Sequence, residues 1–323
     1  MTAATVERPV AMPPERRGPQ DGSASWRLTD RLGLALAWFL GLLYTAIAAA
    51  IVIYLLVQGL KYLRPELFVE SPAAGFGEKD SGGFLDPLMG TLIVAVMAMA
   101  IAFPIGLGVG VWLSEYGRPF WLARVIESSV EMLAGVPSIV FALFGTLIFQ
   151  SPALGFLTRT NANGLVFGRS FFAASTMLSL IAIPLLVASV REGLQAIPGH
   201  VREASYAVGK TKIATTRRIL LPTARPAVIT GTMLGFGRLI GDTAIIVLLL
   251  GATLRFETVG DTPVLGTLRG TGSTLTTYVY QNAPTGEGNL PTKAYAAAFV
   301  LLMIVLALNV VAEIVGRRGK DLR

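Results

Sequence analysis

The sequence predicts an all-α integral membrane protein with six transmembrane helices, and three observations carry that expectation. Of the 323 residues, 53% are hydrophobic and only 15% are charged, whereas soluble domains carry about 25% charged residues. Five stretches, residues 32–60, 87–114, 132–158, 170–190 and 294–312, contain no Asp, Glu, Lys or Arg, and roughly 20 residues suffice to cross a bilayer as helix. A sixth apolar segment, 226–254, is interrupted only by Arg238 and Asp242. Backbone in lipid must satisfy its own hydrogen bonds and these runs are too long for barrel strands, so helices are the spanning elements. The mean hydropathy of +0.63 agrees.

Charge placement gives an orientation. With a cytoplasmic N-terminus and six spans, the interior segments 1–31, 114–127, 191–225 and 313–323 hold 18 of the 27 Lys and Arg residues, and the exterior loops 61–86, 159–169 and 255–293 hold 8. Arg238 alone is left in the membrane. This follows the positive-inside rule and puts both termini in the cytoplasm. The net charge of +7 therefore reports topology, and no nucleic-acid partner is expected. The chain has no cysteine and one histidine, His200, which excludes thiolate chemistry and leaves no metal site or cofactor to expect.

In chain order, residues 1–30 are rich in Arg, Pro, Gly and Ser and lack an apolar core of signal-peptide length, so a disordered cytoplasmic tail precedes an uncleaved first span. The transmembrane domain is expected over 31–316, with a short cytoplasmic tail at 317–323. The first span runs from Leu32 to about Gly59 and ends at an interfacial edge, Lys61-Tyr62-Leu63-Arg64. An acidic, Gly-rich exterior loop then closes with GGFLDP at 82–87. The second span, Leu88 to Leu113, contains Pro104 as a candidate kink and Gly106 and Gly110 as points of close helix approach. The third, about Ser129 to Phe149, contains Gly135-Val-Pro137-Ser138, a step that frees a backbone carbonyl and can open a helix where it lines a cavity. Pro104, Pro137 and Ser138 are thus candidate gate residues. The fourth span covers Ser170 to Val190, a long exterior loop covers 255–293, and Tyr295 to Val315 forms the last span.

Residues 191–225 are too charged to cross. Pro198 marks a helix start, Val201, Ala204, Ala207 and Val208 fall at helical spacing, and Gly209 is a natural stop. A second short helix leading to the fifth span is expected after it, giving a helix-turn-helix along the cytoplasmic surface. Gly209-Lys210-Thr211 is not a phosphate-binding loop, because Ala204 stands where such a loop needs glycine and no strand precedes it. The chain itself therefore binds no ATP and is not expected to be an enzyme.

In the fifth span, Arg238 and Asp242 stand one turn apart on one face. Ionisable groups in a membrane helix cost roughly 3 kcal/mol each on insertion scales and face an interior cavity. Gly231, Gly235, Gly237 and Gly241 surround the pair and leave room for a small solute. A guanidinium fork suits an oxyanion, so Arg238, Asp242 and Thr243 are the candidate path residues, with a purely structural ion pair as the alternative.

Glu203-Ala204-Ser205, three residues, Gly209, nine residues, then Ile219-x-Leu221-Pro222 resembles the EAA loop of ATP-binding-cassette importer permeases, with Ser205 in place of the second alanine. In that family the loop docks in a groove of the ATPase subunit, which implies a coupling role for Glu203, Ala204, Ser205 and Gly209. Gly237-Arg238-Leu-Ile-Gly241-Asp242-Thr243-Ala244 resembles the GRALGETAP-type segment of permeases of the phosphate-specific transport (Pst) system. Leu133-Ala-Gly-Val-Pro-Ser-Ile-Val140 with Leu143-Phe-Gly145 resembles their LAGVPSIV-x-x-LFG stretch, and Gly82-Gly83, Gly90-Thr91 and Leu113-Ser-Glu-Tyr116 also fit. Asp242 replaces the usual glutamate.

The resemblance covers about residues 82–315 and implies the MetI-like permease fold of type I importers in a bacterial inner (cytoplasmic) membrane. It further implies a phosphate permease subunit, of A type rather than C type, working with a second permease, an ATPase dimer and an exterior phosphate-binding protein. The rival expectations are a permease for sulfate or molybdate and, from another class, a secondary transporter or channel without an ATPase.

Overall fold

The computed structural model describes residues 28–73, 82–158, 167–251, 253, 256, 263–284 and 290–318. The expected tails lie largely outside these residues, as do parts of all three exterior loops. Chain contacts divide the protein into two units, Met1–Tyr54 and Leu55–Arg323. In the first, residues 28–54 form most of helix α1 (Leu28–Tyr62), with Leu32, Leu36, Trp38, Phe39, Leu43 and Ile47 exposed. A helix this apolar on every side is suited to lipid.

The second unit is a helical bundle. Helix α2 (Leu85–Val111) continues through Pro104 and ends in a π-helical turn, Trp112–Tyr116. Helices α3 (Phe120–Gly135) and α4 (Ser138–Phe149) form a pair bent by 104°. The opening expected at the Gly135-Val-Pro137 step is present as this bend, and one expectation is corrected: the helix leading into the third span already begins at Phe120, inside the segment expected as an interior loop. The bend follows from local chemistry. Val136, preceding Pro137, is extended at φ −76° and ψ 128°, as the proline ring requires, and the Val140 N–H restarts the helix on the Pro137 carbonyl at 3.0 Å.

Helix α5 (Phe171–Gln195) is capped by Ser170, whose hydroxyl accepts from the Ala173 N–H at 3.0 Å. It runs one turn past the expected end at Val190. Helix α6 (Gly199–Ala207) follows Pro198 and is stopped by Gly209, whose φ of +79° favours glycine. The second short helix expected to lead to the fifth span is continuous with it. Helix α7 (Lys212–Thr215) passes through a π-helical turn, Thr216–Leu220, directly into α8 (Leu221–Ile240), making one rod from Lys212 to Ile240. Helix α9 (Ala244–Leu249) follows a break, and α12 (Pro291–Arg318) is the last span. By length and composition the described residues hold five helices able to cross a membrane, six when the bent α3–α4 pair is counted as one span.

The exterior loop expected over 255–293 is also corrected, because it contains helices α10 (Pro263–Arg269) and α11 (Leu275–Asn282). Leu275, Thr276, Thr277 and Tyr278 are buried. No apolar run announces this segment because buried threonines stand in it: Thr274 and Thr277 form a capping box, and the Leu275 N–H donates to the Thr91 hydroxyl of α2 at 2.9 Å.

Small residues set the packing of α2, α5 and α8, as expected for Gly106 and Gly110. A Cβ on Gly106 would stand 2.6 Å from the Leu186 Cβ, and one on Gly110 would stand 2.8 Å from the Val190 Cβ. The paired positions advance together, so α2 and α5 run parallel. Against α8 the order reverses, with Gly193 at Ala227 and Gly231 at Ser189, so α5 and α8 are antiparallel. The main core, including Ala98, Ala102, Phe141, Leu178, Leu186, Leu239 and Leu249, lies where α2, α4, α5, α8 and α9 meet.

Candidate functional site

The rod Lys212–Ile240 ends where the candidate pair stands. Gly241, Asp242 and Thr243 break the fifth span, and α9 restarts beyond them. Asp242 is 3% exposed and divides its two oxygens between two tasks. Oδ1 accepts from the Ile245 N–H at 3.0 Å, capping α9, and Oδ2 lies 3.5 Å from Nη1 of Arg238. The Arg238 side chain is 47% exposed. Sequence reasoning thus placed the pair correctly on adjacent turns but missed the break, since 226–254 reads as one apolar run. The available signal was the cap chemistry: a glycine that ends a helix, followed at once by an aspartate that starts the next.

The four glycines around the pair divide by position. Gly231 and Gly235 take up close contacts, with Ser189 at 2.5 Å and Met99 Cε at 2.9 Å from an added Cβ, while Gly237 has nothing within 4 Å. The helix face at Gly237, the residue preceding Arg238, is open. Thr243 is half-buried and its carbonyl accepts from the Val247 N–H at 2.9 Å.

Of the candidate gate residues, Pro137 is exposed at the α3–α4 bend and Ser138 is half-buried at the start of α4. Beyond the bend, α4 packs on α9. The C-terminal halves of two broken helices, the third and fifth spans, thus lie together. Pro104 is not at either break; it lines an apolar groove with Phe103, Leu107, Gly108, Val111 and Trp112. Broken spans inside a bundle leave backbone polar groups and helix ends facing a solute, which is how membrane transporters build binding sites.

The second candidate surface is α6. Glu203, Ala204, Tyr206, Ala207, Val208 and Gly209 are exposed, with Val208 at 73%. Ser205 is 4% exposed, and its hydroxyl is 2.8 Å from that of Thr215 at the root of the fifth span. The four residues expected to couple therefore separate: Glu203, Ala204 and Gly209 face outward, and Ser205 faces inward. The helical spacing of Val201, Ala204, Ala207 and Val208 is realised in α6 and its C-cap, and of the four only Val201 packs on a buried cluster, that of Val190, Leu194, Ile197, Leu220 and Ala224.

A family model described as "binding-protein-dependent transport system inner membrane component" matches residues 102–320. The chain belongs to that family. The match takes in the α3–α4 bend, α6 and the Arg238–Asp242 break. Among curated relatives, the phosphate transport system permease protein PstA 1 of Mycobacterium tuberculosis is 34% identical over 238 residues, covering 74% of this chain and 72% of its own length. PstA of Mycobacterium leprae is 36% identical over 235 residues, covering 72% and 70%, and PstC of Xylella fastidiosa is 27% identical over 298 residues, covering 86% and 89%. Among solved structures, an inward-facing MetNI methionine ABC transporter covers 73% of this chain and 95% of its own, with a TM-score of 0.56 and 21% identity. A bacterial alginate ABC transporter covers 90% and 94%, with a TM-score of 0.57 and 18% identity. The fold is that of the MetI-like permeases of ABC type I importers, and the chain is a multi-span membrane component of such a transporter.

Proposed function

We propose that this permease is one of two transmembrane subunits of an ATP-driven inorganic phosphate importer in a bacterial inner membrane, with both termini cytoplasmic. It forms half of the translocation path and takes its drive from an ATPase dimer docked on the outer face of α6, at Glu203, Ala204 and Gly209. An exterior phosphate-binding protein delivers the substrate. The observation that carries the substrate class is Arg238: a half-exposed guanidinium on a broken membrane helix, with its carboxylate partner 3.5 Å away and also capping α9. Such an arginine has hydrogen-bonding capacity to spare for a tetrahedral oxyanion. Asp242 keeps the contact weak by competing for the same fork, as conduction requires a site that releases what it binds. The names and coverage of the curated relatives support phosphate among the oxyanions.

Those relatives include both A-type and C-type subunits. The Asp-Thr-Ala segment after Gly241 favours A type, and the longer alignment to the Xylella protein supports C type as the second reading.

Affinity purification of the chain from its native membrane, combined with labelled-phosphate uptake challenged by sulfate and molybdate, tests the proposal. An ATPase subunit should copurify, and uptake should resist both competitors. A chain that carries no ATPase would support a secondary transporter, and uptake suppressed by sulfate or molybdate would move the substrate to another oxyanion.

A further inference from the structure

Helix α6 touches the rest of the protein through few groups, and one side chain dominates. Arg202 donates from Nη2 to Oε1 of Glu115 at 2.7 Å and from Nε to Oε1 and Oε2 at 3.2 and 3.4 Å. The same guanidinium donates from Nη1 to the Ile197 carbonyl and from Nη2 to the Leu194 carbonyl, both at 2.8 Å. The Glu115 side chain is 5% exposed and lies in the π-helical turn that ends α2. Leu194 and Ile197 lie at the end of α5, where carbonyls lack partners within the helix. One residue of α6 therefore holds the ends of the second and fourth spans. Three residues on, Ser205 reaches the root of the fifth through Thr215. Lys212 closes the cluster with Nζ 4.8 Å from the Tyr116 ring.

We propose that Arg202 is the positioning residue that carries displacement of α6 to the second and fourth spans during transport, an inference that rests on the importer reading above. The division of faces supports it. Residues 203, 204 and 206–209 are free for a partner, whereas Arg202 and Ser205 point to the bundle, so a push on the outer face reaches the spans through these two contacts and the apolar seat of Val201. A bidentate, charge-assisted contact is directional and resists sliding, unlike apolar packing alone. Glu115 lies in a π-helical turn at 112–116, and Thr215 stands immediately before a second one at 216–220, a wide turn that is rare and concentrated at functional sites.

The complete transporter, with its second permease, ATPase subunits and binding protein, is reconstituted in liposomes, and phosphate moved per ATP hydrolysed is measured for wild type, Arg202→Gln, Arg202→Lys, Glu115→Gln and the exchange of Arg202→Glu with Glu115→Arg. For Arg202→Gln the ratio should fall on the order of tenfold, within the range typical of site-to-site coupling, while the ATPase stays bound. Arg202→Lys, which keeps the charge without the fork, should fall between, and the exchange should recover part of the loss. If Arg202→Gln fails to assemble, Glu115→Gln provides the ratio, because it leaves a neutral acceptor for the guanidinium. An unchanged ratio, with hydrolysis and uptake either intact or reduced in proportion, would make Arg202 a staple and overturn the joint alone. A wild-type chain that holds no ATPase would overturn the importer reading and the joint with it.

Discussion

Two arginine–carboxylate pairs in this protein have the same chemistry and opposite construction. Arg202 spends its guanidinium on a carboxylate 2.7 Å away and on two backbone carbonyls, against a glutamate that is almost fully buried. Arg238 has an aspartate at 3.5 Å, and half of its side chain is open. The aspartate is also occupied, since one oxygen caps α9. A saturated arginine can hold elements together but has nothing to offer a solute. An under-used one contributes little rigidity and keeps its fork available. The first is built as a joint and the second as a contact for something that passes.

The comparison breaks most sharply on stability. Removing Glu115 by Glu115→Ala strands a guanidinium among carbonyls, and such losses in buried pairs cost roughly 3 kcal/mol or more; thermal unfolding of the purified permease should show it as the largest drop of the set. Asp242→Ala should cost about 1 kcal/mol, the usual worth of a lost cap, and Asp242→Asn should recover most of that, because an asparagine oxygen still accepts from the Ile245 N–H. That pair of variants separates capping from ion pairing. Ser205→Ala should cost up to about 1 kcal/mol, since Thr215 retains its bond to the Thr211 carbonyl at 3.1 Å. Arg238→Gln should change stability least, within about 0.5 kcal/mol as for exposed substitutions. If Arg238→Gln proves as destabilising as Glu115→Ala, the contrast collapses and the fifth-span pair is structural too.

Much of this was legible in the sequence for identifiable reasons. The spans were readable because a bilayer excludes charge over a length that uncharged gaps measure directly. The Gly135-Val-Pro137 step and the Arg238–Asp242 spacing were readable because proline geometry and helical periodicity are local. The break at Gly241–Thr243 was hidden because the residues on both sides of it are apolar. The start of α3 at Phe120 was hidden because Arg124 and Glu127 made the segment look like a loop; in the structure Glu127 pairs with Arg191 of α5 at 2.6 Å. Helix α11 was hidden because buried threonines that bond one another resemble a polar loop. Glu115 and Arg202 stand 87 residues apart, and only the parallel course of α2 and α5 brings their ends together. Ser205 illustrates the same limit: as a departure from the EAA pattern it looks neutral, and its hydroxyl has a partner that only the turn at Gly209 supplies.

The most direct test of the central claim is labelled-phosphate uptake at limiting phosphate, in cells lacking this chain and supplied with wild type or Arg238→Gln at matched membrane levels. Wild type should restore uptake, and the variant should fail to do so despite a folded, assembled transporter. Equal uptake by both would contradict the assignment of Arg238 to the path, and no uptake by an assembled wild type would contradict phosphate as the substrate.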